Sequence, residues 1–221
     1  MLNRLFDTPI CRGSIEPTPE QLEATKRLLH DEYWSKTTRG SWALESGKST
    51  GGMVGGKELF DHEEFDWMLH PVMVAAHEYW KWTLNYRRDL HVYIDSMWAN
   101  LHNDGDTTGE HCHISGQRSK SHVSIVYHLE KDPEHGHLQF KNPLEDILRM
   151  TPLEYDYDIS DDGKHHGSDL KWDTQPSKSF DYFIFPSWLK HRTLPAVGER
   201  IAISINVAGC SIDQSDGDFH E

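Results

Sequence analysis

Three histidines and one arginine carry the chemistry that this chain can be read for. His111-Cys112-His113 sets two imidazoles one residue apart, and on a strand, where side chains alternate, both point the same way. His191 follows far along the chain. It ends a hydrophobic stretch that starts at Phe180 and reads as a strand running through Phe185 into a Pro186-Ser187 turn. Two closely spaced ligands and one distant His form the ligand pattern of non-haem Fe(II) centres. Past a loop holding Pro195 and Gly198, Arg200 opens a further strand, Arg200-Ile-Ala-Ile-Ser-Ile-Asn206. Guanidinium stays charged when desolvated, and its planar fork matches a carboxylate. A His and an Arg on neighbouring antiparallel strands then predict a metal and an anion held side by side. The plainer alternative is an ordinary hairpin with a surface His and Arg.

The donor set has consequences. If His111, His113 and His191 all bind, the ligands are three neutral imidazoles and a divalent ion keeps its full charge. Three imidazoles suit zinc, copper or nickel as well as iron. Glu110 or a nearby Asp stays open as a source of a carboxylate, with His113 then behind the ligand shell. Cys112 points away from its two neighbours and reads as packing. His135 and His137 repeat the spacing but flank the Gly136 turn with no partner on a strand. His70 and His77 fall on a helix pattern, and His165-His166 in an acidic loop.

Further pieces surround these residues in a fixed order. Trp98-Ala-Asn100-Leu-His102 precedes a Gly105 turn and His111-x-His113. A strand with Tyr127 near its end follows, then Gly136-x-Leu138-x-Phe140, Phe185-Pro-Ser-x-Leu-x-His191 and Arg200-Ile-x-Ile-Ser-x-Asn206. Over roughly residues 90–208 this ordered set resembles the Fe(II)/2-oxoglutarate-dependent dioxygenase superfamily, in a bacterial and phage, prolyl-hydroxylase-like branch. The resemblance implies a mainly β fold with flanking α-helices: a double-stranded β-helix, that is, a cupin-like jelly roll with its site in the mouth. It implies one domain over 1–221, with helical support over 1–89, the β core over 90–208 and a tail over 209–221.

The same resemblance implies that His111, His113 and His191 hold Fe(II). 2-Oxoglutarate would chelate the ion through its C1 carboxylate and keto oxygen, and Arg200 would grip the C5 carboxylate. Ser204, on the same face of that strand, and either His128 or Tyr127 would assist. In related enzymes an Asn about eleven residues before the first ligand, and a Tyr two further on, contact the cosubstrate. Asn100 and His102 stand at those positions, and an imidazole can donate a hydrogen bond as a phenol does. Dioxygen, with ascorbate in vitro, completes the set. The implied reaction is hydroxylation of a C–H bond with release of succinate and CO2, on a peptidyl proline or another amino-acid, peptide or protein substrate. The chain departs from the superfamily at His113, where most members carry Asp or Glu. Two alternatives stand beside this reading: a three-His cupin-type dioxygenase that ignores 2-oxoglutarate, and a non-catalytic, metal-binding or virion-associated interaction protein on the same fold. Arg200, nine residues after His191, speaks against the first.

The elements that must position these residues are legible in part. The chain has 221 residues and an aromatic content of 11%, enough for one domain with a sizeable core. A net charge of −14 argues against a nucleic-acid backbone as the main partner. No apolar run reaches membrane-spanning length. Cys11, Cys112 and Cys210 form no CxxC pair, so reduced thiols and a cytoplasmic protein, in a bacterium or a phage-infected cell, are expected. Thr18-Pro19-Glu-Gln21 is a helix start, with Thr as N-cap and Pro in the first turn, leading to about Tyr33. Asp61 is read as the cap of a second helix, 62–85, whose stripe includes Phe65, Met68, Val72, Ala76 and Trp80 and which Pro71 would kink. On the strand 123–129, Val123, Ile125 and Tyr127 share one face, and Ser124, Val126 and His128 the other. An edge strand is expected around Leu5–Ile10. Residues 35–57 read as a Gly-rich solvent loop or a flap, and 117–122 as a polar turn. Asn142–Met150 reads as a short helix, and the acidic stretch after it as a solvated insertion or a gating loop. The tail from Ser211 reads as frayed.

Overall fold

In the computed structural model the structure describes residues 8–35, 47–51, 58–84, 90–114, 121–144 and 172–211. Among these residues nine strands form two antiparallel sheets. The larger runs in the order β1 (Cys11–Ser14), β7 (Asp181–Pro186), β4 (Val123–Glu130), β9 (Arg200–Ser211), β3 (Leu90–His102), β2 (Lys48–Ser49). The smaller runs β6 (Trp172–Gln175), β5 (Leu138–Lys141), β8 (His191–Thr193). The segment 108–113 lies along β8: His111 and His191 exchange both backbone hydrogen bonds, at 3.0 and 2.9 Å, and Thr193 N–H donates to Thr108 O at 3.0 Å. The result is the two-sheet, double-stranded β-helix that the sequence resemblance implies.

Strand alternation divides the large sheet into two faces. Met97, Ala99 and Leu101 of β3, Val123, Ile125 and Tyr127 of β4, and Ile201, Ile203 and Ile205 of β9 join the helices in one apolar core. Val126 and Ala202, from the opposite face, join Leu138, Phe140, Phe183, Phe185 and Leu189 in a second core between the sheets. β4 is therefore buried on both sides along nearly its whole length, and its sequence is apolar without clean alternation.

Helix α1 (Pro19–Leu28) starts as its sequence predicts. Thr18 Oγ1 accepts from the Gln21 N–H, and Gln21 Oε1 accepts from the Thr18 N–H at 2.8 Å, a complete capping box. The chain continues through a π-helical turn, Leu29–Trp34, that buries Leu29 and Trp34. Helix α2 (Asp66–Glu78) starts later than expected, and Asp61 does not cap it. His62 is extended at φ −93°, ψ 127° and separates two 3-10 turns, Leu59–Asp61 and Glu63–Phe65. Its ring is held by the Tyr33 hydroxyl at 2.7 Å. Phe65, Met68, Val72, Ala76 and Trp80 are nonetheless buried against the outer face of the large sheet, and Pro71 sits inside the helix. His70 and His77 are exposed.

Other expectations move. The first strand is Cys11–Ser14, later than the edge strand read around Leu5–Ile10. The Gly-rich stretch contributes β2, paired with Leu101 and Asn100. There Gly47 takes φ +79° against the Leu101 carbonyl, where an added Cβ would sit 2.2 Å from that oxygen. The expected helix Asn142–Met150 lies outside the described residues from 145 onward, as do the acidic insertion up to 171, most of the polar turn at 117–122 and the tail from 212. Cys11, Cys112 and Cys210 form no disulfide. Among the described residues no helix is long and apolar enough to cross a membrane.

Candidate active site

Backbone pairing brings the three histidines together. His111 and His191 face each other across their mutual bridge, and His113 is tied in by its N–H donating to Ser187 O at 2.9 Å. Ring centroids lie 4.2 Å apart for His111 and His191, 4.9 Å for His113 and His191, and 5.3 Å for His111 and His113. One ring nitrogen from each falls within 4.8 Å of the others, so the three could hold a metal ion. Each Nδ1 is engaged: that of His111 with Gly109 O at 2.8 Å, that of His191 with Leu189 O at 2.9 Å, and that of His113 with Asn206 Oδ1 at 2.7 Å. Carbonyl oxygens only accept, so each Nδ1 carries the proton and each Nε2 keeps its lone pair for a metal. Burial pushes all three pKa values down, His113 to about 4 and His191 well below the usual range, with mutual repulsion adding at those two. The rings are thus held neutral, as metal binding needs. Phe185 packs edge-on to His191 at 4.9 Å, and Trp98 lies 5.3 Å from His113.

Along the inner face of the large sheet lies a second group of unmet polar atoms. Arg200 is 2% exposed, and its Nε and Nη1 have no hydrogen-bond partner. Burial alone lowers its pKa to about 10. Among the described residues no carboxylate pairs with it. His128 is fully buried with neither ring nitrogen bonded. Burial, then the charges of Arg200 and Lys131, keep it neutral. His102 stands opposite Arg200 in the β3–β9 register. Its Nε2 meets Thr108 Oγ1 at 2.8 Å and its Nδ1 is unmet. Burial and Arg200 bring its pKa down to about 3 against the pull of Asp106. Asn100 Oδ1 is buried without a partner, and Ser204, between Trp98 and Val126, is 6% exposed. Each unmet buried group costs about 1–3 kcal/mol. Their concentration around one unpaired guanidinium marks a place for a polar anion. A dicarboxylate that reaches the His cluster at one end and Arg200 at the other fits this donor set.

Two expectations are corrected, and two alternatives that the sequence left open find no support. Tyr127 points to the other side of the sheet: its hydroxyl donates to Ile15 O at 2.8 Å and its ring packs on Trp67. Alternation along β4 leaves His128 as the member of the pair on the site face. His191 and Arg200 are not on neighbouring strands, because β8 and β9 belong to different sheets. The cluster and the guanidinium therefore come from facing walls. Glu110 is exposed and bound to Lys141 and Lys190, each at 3.1 Å, so it supplies no carboxylate to the cluster. The rival pair separates: His135 Nδ1 meets Asp132 Oδ1 at 2.8 Å at the surface, while His137 Nδ1 faces Lys131 and the Ser177 N–H.

Two features escaped the sequence reading. Lys131, 5% exposed, donates to Asp132 O at 2.6 Å and Ser177 O at 2.7 Å, and burial with Arg200 nearby lowers its pKa to about 8. A Lys between Glu130 and Asp132 reads as surface, and nothing local signals otherwise. Asn206 stands behind His113, with Ser124, Ser187, Ser121 and Ser96 around it. Its place at the end of the Arg200 motif was a usable signal.

Comparison with known proteins places this geometry. Residues 96–206, half of the chain, match the family described as "Putative 2OG-Fe(II) oxygenase". No curated protein sequence matches. Among solved structures, a Pseudomonas putida prolyl-4-hydroxylase is similar with a TM-score of 0.58 at 12% identity, over 91% of this chain and 92% of that one. A Trichoplax adhaerens prolyl hydroxylase in complex with a hypoxia inducible factor peptide fragment gives 0.57 at 14%, over 90% and 83%. HygX from Streptomyces hygroscopicus, with nickel and 2-oxoglutarate bound, gives 0.53 at 12%, over 91% and 83%. At these identities the structures speak for the fold, and the family match over the segment that carries the His cluster and Arg200 speaks for the chemistry. The chain belongs to the 2OG-Fe(II) oxygenase family, enzymes that work with Fe(II), 2-oxoglutarate and dioxygen.

Proposed function

We propose that the chain hydroxylates a C–H bond of a peptide, protein or amino-acid substrate, a peptidyl proline first among them, and releases succinate and CO2. His111, His113 and His191 would hold Fe(II) through their Nε2 atoms. Arg200 would take the C5 carboxylate of 2-oxoglutarate, with His128 donating a second hydrogen bond and Asn100, His102 and Ser204 lining the pocket. The observation that carries this reading is the buried guanidinium of Arg200, without a carboxylate partner among the described residues, on the inner face of the large sheet, while the His cluster lies on the side of the smaller sheet.

Bound Fe(II) supplies the activation of dioxygen that is coupled to decarboxylation of 2-oxoglutarate. The chain's own residues do the rest. The Gly109, Leu189 and Asn206 oxygens fix the three imidazoles as Nδ1–H tautomers. Arg200 and His128 orient the diacid, and burial strengthens both contacts. Phe140, Phe185 and Trp98 exclude water beside the cluster. The lean towards peptidyl substrates rests on the prolyl hydroxylases among the fold relatives, one of them bound to a peptide. The three-His donor set, without a carboxylate, keeps a cupin-type dioxygenase as a second reading, and unpaired Arg200 weighs against it. The test is succinate formation with Fe(II) and ascorbate for the wild type beside Arg200→Ala and His113→Ala. Turnover lost in both variants supports the reading. A wild type that binds metal yet makes no succinate with any peptide or amino acid offered overturns it.

A further inference from the structure

Lys131 is buried beside the cavity and has no part in the reaction proposed above. It follows directly on β4 and is 5% exposed. Its ammonium has three acceptors, all neutral: Asp132 O at 2.6 Å, Ser177 O at 2.7 Å and His137 Nδ1 at 3.2 Å. His137 Nδ1 also takes the Ser177 N–H at 3.3 Å, so it is the bare nitrogen of that ring. The neighbouring Gly136 seats this turn on Arg200: a Cβ there would come 3.4 Å from Arg200 Cδ, and the Gly136 N–H donates to Pro195 O at 3.0 Å. Lys131 and Arg200 therefore flank one corner of the cavity, and His128 feels both charges.

An ammonium held by neutral acceptors keeps most of the cost of burying its charge. The carboxylates that bear on it are engaged elsewhere. Asp132 Oδ1 accepts from the Glu134 N–H and meets His135 Nδ1, both at 2.8 Å. Asp181 Oδ2 on β7 accepts from Arg12 at 2.8 Å and from the Lys178 N–H at 3.0 Å. Glu134 is exposed. Among the described residues no carboxylate pairs with Lys131. A neutral donor could tie the two carbonyls as well, so what the ammonium adds is charge. Building on the cosubstrate site read above, we propose that Lys131 is a second cation for 2-oxoglutarate, acting on its C5 carboxylate from behind Arg200 without touching it. A pH dependence follows. Burial, then the Arg200 charge, bring the Lys131 pKa down to about 8 against the pull of Asp132, Asp181 and Glu134. His128 and His137, the imidazoles packed around it, are lowered too and stay neutral there. An arriving carboxylate favours the charged ammonium and raises its pKa again. The cosubstrate therefore binds best where Lys131 is protonated, and its affinity falls as pH rises past about 8.

The test is calorimetric titration of 2-oxoglutarate into the full chain loaded with Zn(II), which does no oxygen chemistry. A tenfold preference of the anion for charged Lys131 makes wild type bind about 5-fold more weakly at about pH 9 than at about pH 7. Lys131→Gln keeps a donor for the carbonyls and loses the charge; it should bind about 10-fold more weakly than wild type at about pH 7 and show no such fall. Lys131→Arg, charged throughout, should keep the affinity and lose the fall. A wild-type Kd that is the same at both pH values, a Gln variant that binds as wild type does at about pH 7, or one that keeps the wild-type pH dependence overturns the proposal. The Lys131 Cε resonance decides the matter even if the variants do not fold: in the Zn(II)-loaded wild type its titration should move to higher pH when 2-oxoglutarate is added, and a titration that stays put overturns the proposal. The two levels separate cleanly. A wild type that binds no 2-oxoglutarate at either pH strikes the cosubstrate site and this proposal with it, whereas binding that is lost in Arg200→Ala yet indifferent to pH leaves the site standing and removes Lys131 from it.

Discussion

Arg200→Met should make the ligand-free protein more stable while abolishing its response to 2-oxoglutarate. The guanidinium is 2% exposed, and burial alone takes its pKa from 12.5 to about 10. At about 1.4 kcal/mol per pKa unit, the charge costs about 3 kcal/mol in the ligand-free protein. Met keeps the aliphatic stem, which packs where Gly136 leaves room: a Cβ there would come 3.4 Å from Arg200 Cδ. Even whole buried ion pairs can be replaced by apolar side chains of similar volume at no cost or with a gain of about 1–4 kcal/mol, and a lone buried charge has less to lose. A chain of this size gains about 2–4 °C of Tm per kcal/mol. The ligand-free variant should therefore melt several degrees above wild type. Wild type loaded with Mn(II) should gain a further increment from 2-oxoglutarate, about 2.7 kcal/mol at a hundred times its Kd, and the variant none. Differential scanning fluorimetry reads both. A variant less stable than wild type without ligand, or one that keeps the 2-oxoglutarate increment, would refute the idea that Arg200 waits uncompensated for an anion.

Other outcomes follow from the same geometry. His102, with its pKa near 3, and His128, lowered well below its usual value by burial, stay neutral in the folded state, whereas both take protons below about 6.5 once unfolded. Folded pKa values below the unfolded value mean that stability falls as pH drops through that window. The two together contribute about 2.7 kcal/mol per pH unit. Urea midpoints for the ligand-free protein should show at least that slope, since the cluster histidines are lowered too, and His128→Phe should remove about 1.4 kcal/mol per pH unit of it; an unchanged slope would put the acid sensitivity elsewhere. Tyr127→Phe should lose about 1 kcal/mol of stability with the Ile15 hydrogen bond and leave the KM for 2-oxoglutarate unchanged. A raised KM would return Tyr127 to the cosubstrate. Thr18→Ala should cost about 1 kcal/mol in urea unfolding, through loss of the capping box alone.

How much was legible depended on whether a signal was local. Thr18, Pro19 and Gln21 announce α1 because a cap is satisfied within four residues. The inner face of β4 was legible from period two, and its Ser124 and His128 pointed to His128, yet Tyr127 stayed open because residue counting from His111 favoured it and both faces of the strand are buried. The late start of α2 was hidden because His62 is extended by its contact with Tyr33, 29 residues away. His191 and Arg200 looked like neighbours because a short loop joins them, and a short loop can equally well cross between two sheets. Lys131 was invisible because its acceptors, such as the Ser177 carbonyl, are backbone groups brought in by the fold. The cluster of His111, His113 and His191 was legible as a pattern of spacing, and the oxygens that orient its rings were not.

The parity of the strands bears on how such a chain can change over time. In β3 past its bulge at Ile94/Ser96, in β4, and in β9 as far as Val207, odd-numbered residues build the packing under the helices; even-numbered residues face the smaller sheet, where Val126 and Ala202 pack and Asn100, His102, His128, Arg200 and Ser204 line the site. Substitutions at even positions can alter what the cavity accepts while the odd positions go on holding the domain together. The two properties can drift almost independently under selection. Insertion or deletion of one residue is a different matter. In β4 it would carry His128 under the helices and Tyr127 into the cavity, losing both properties in one step. Length should therefore be guarded more strictly than identity in these three strands, and a library that samples their even positions at fixed length is the economical way to search for new substrates.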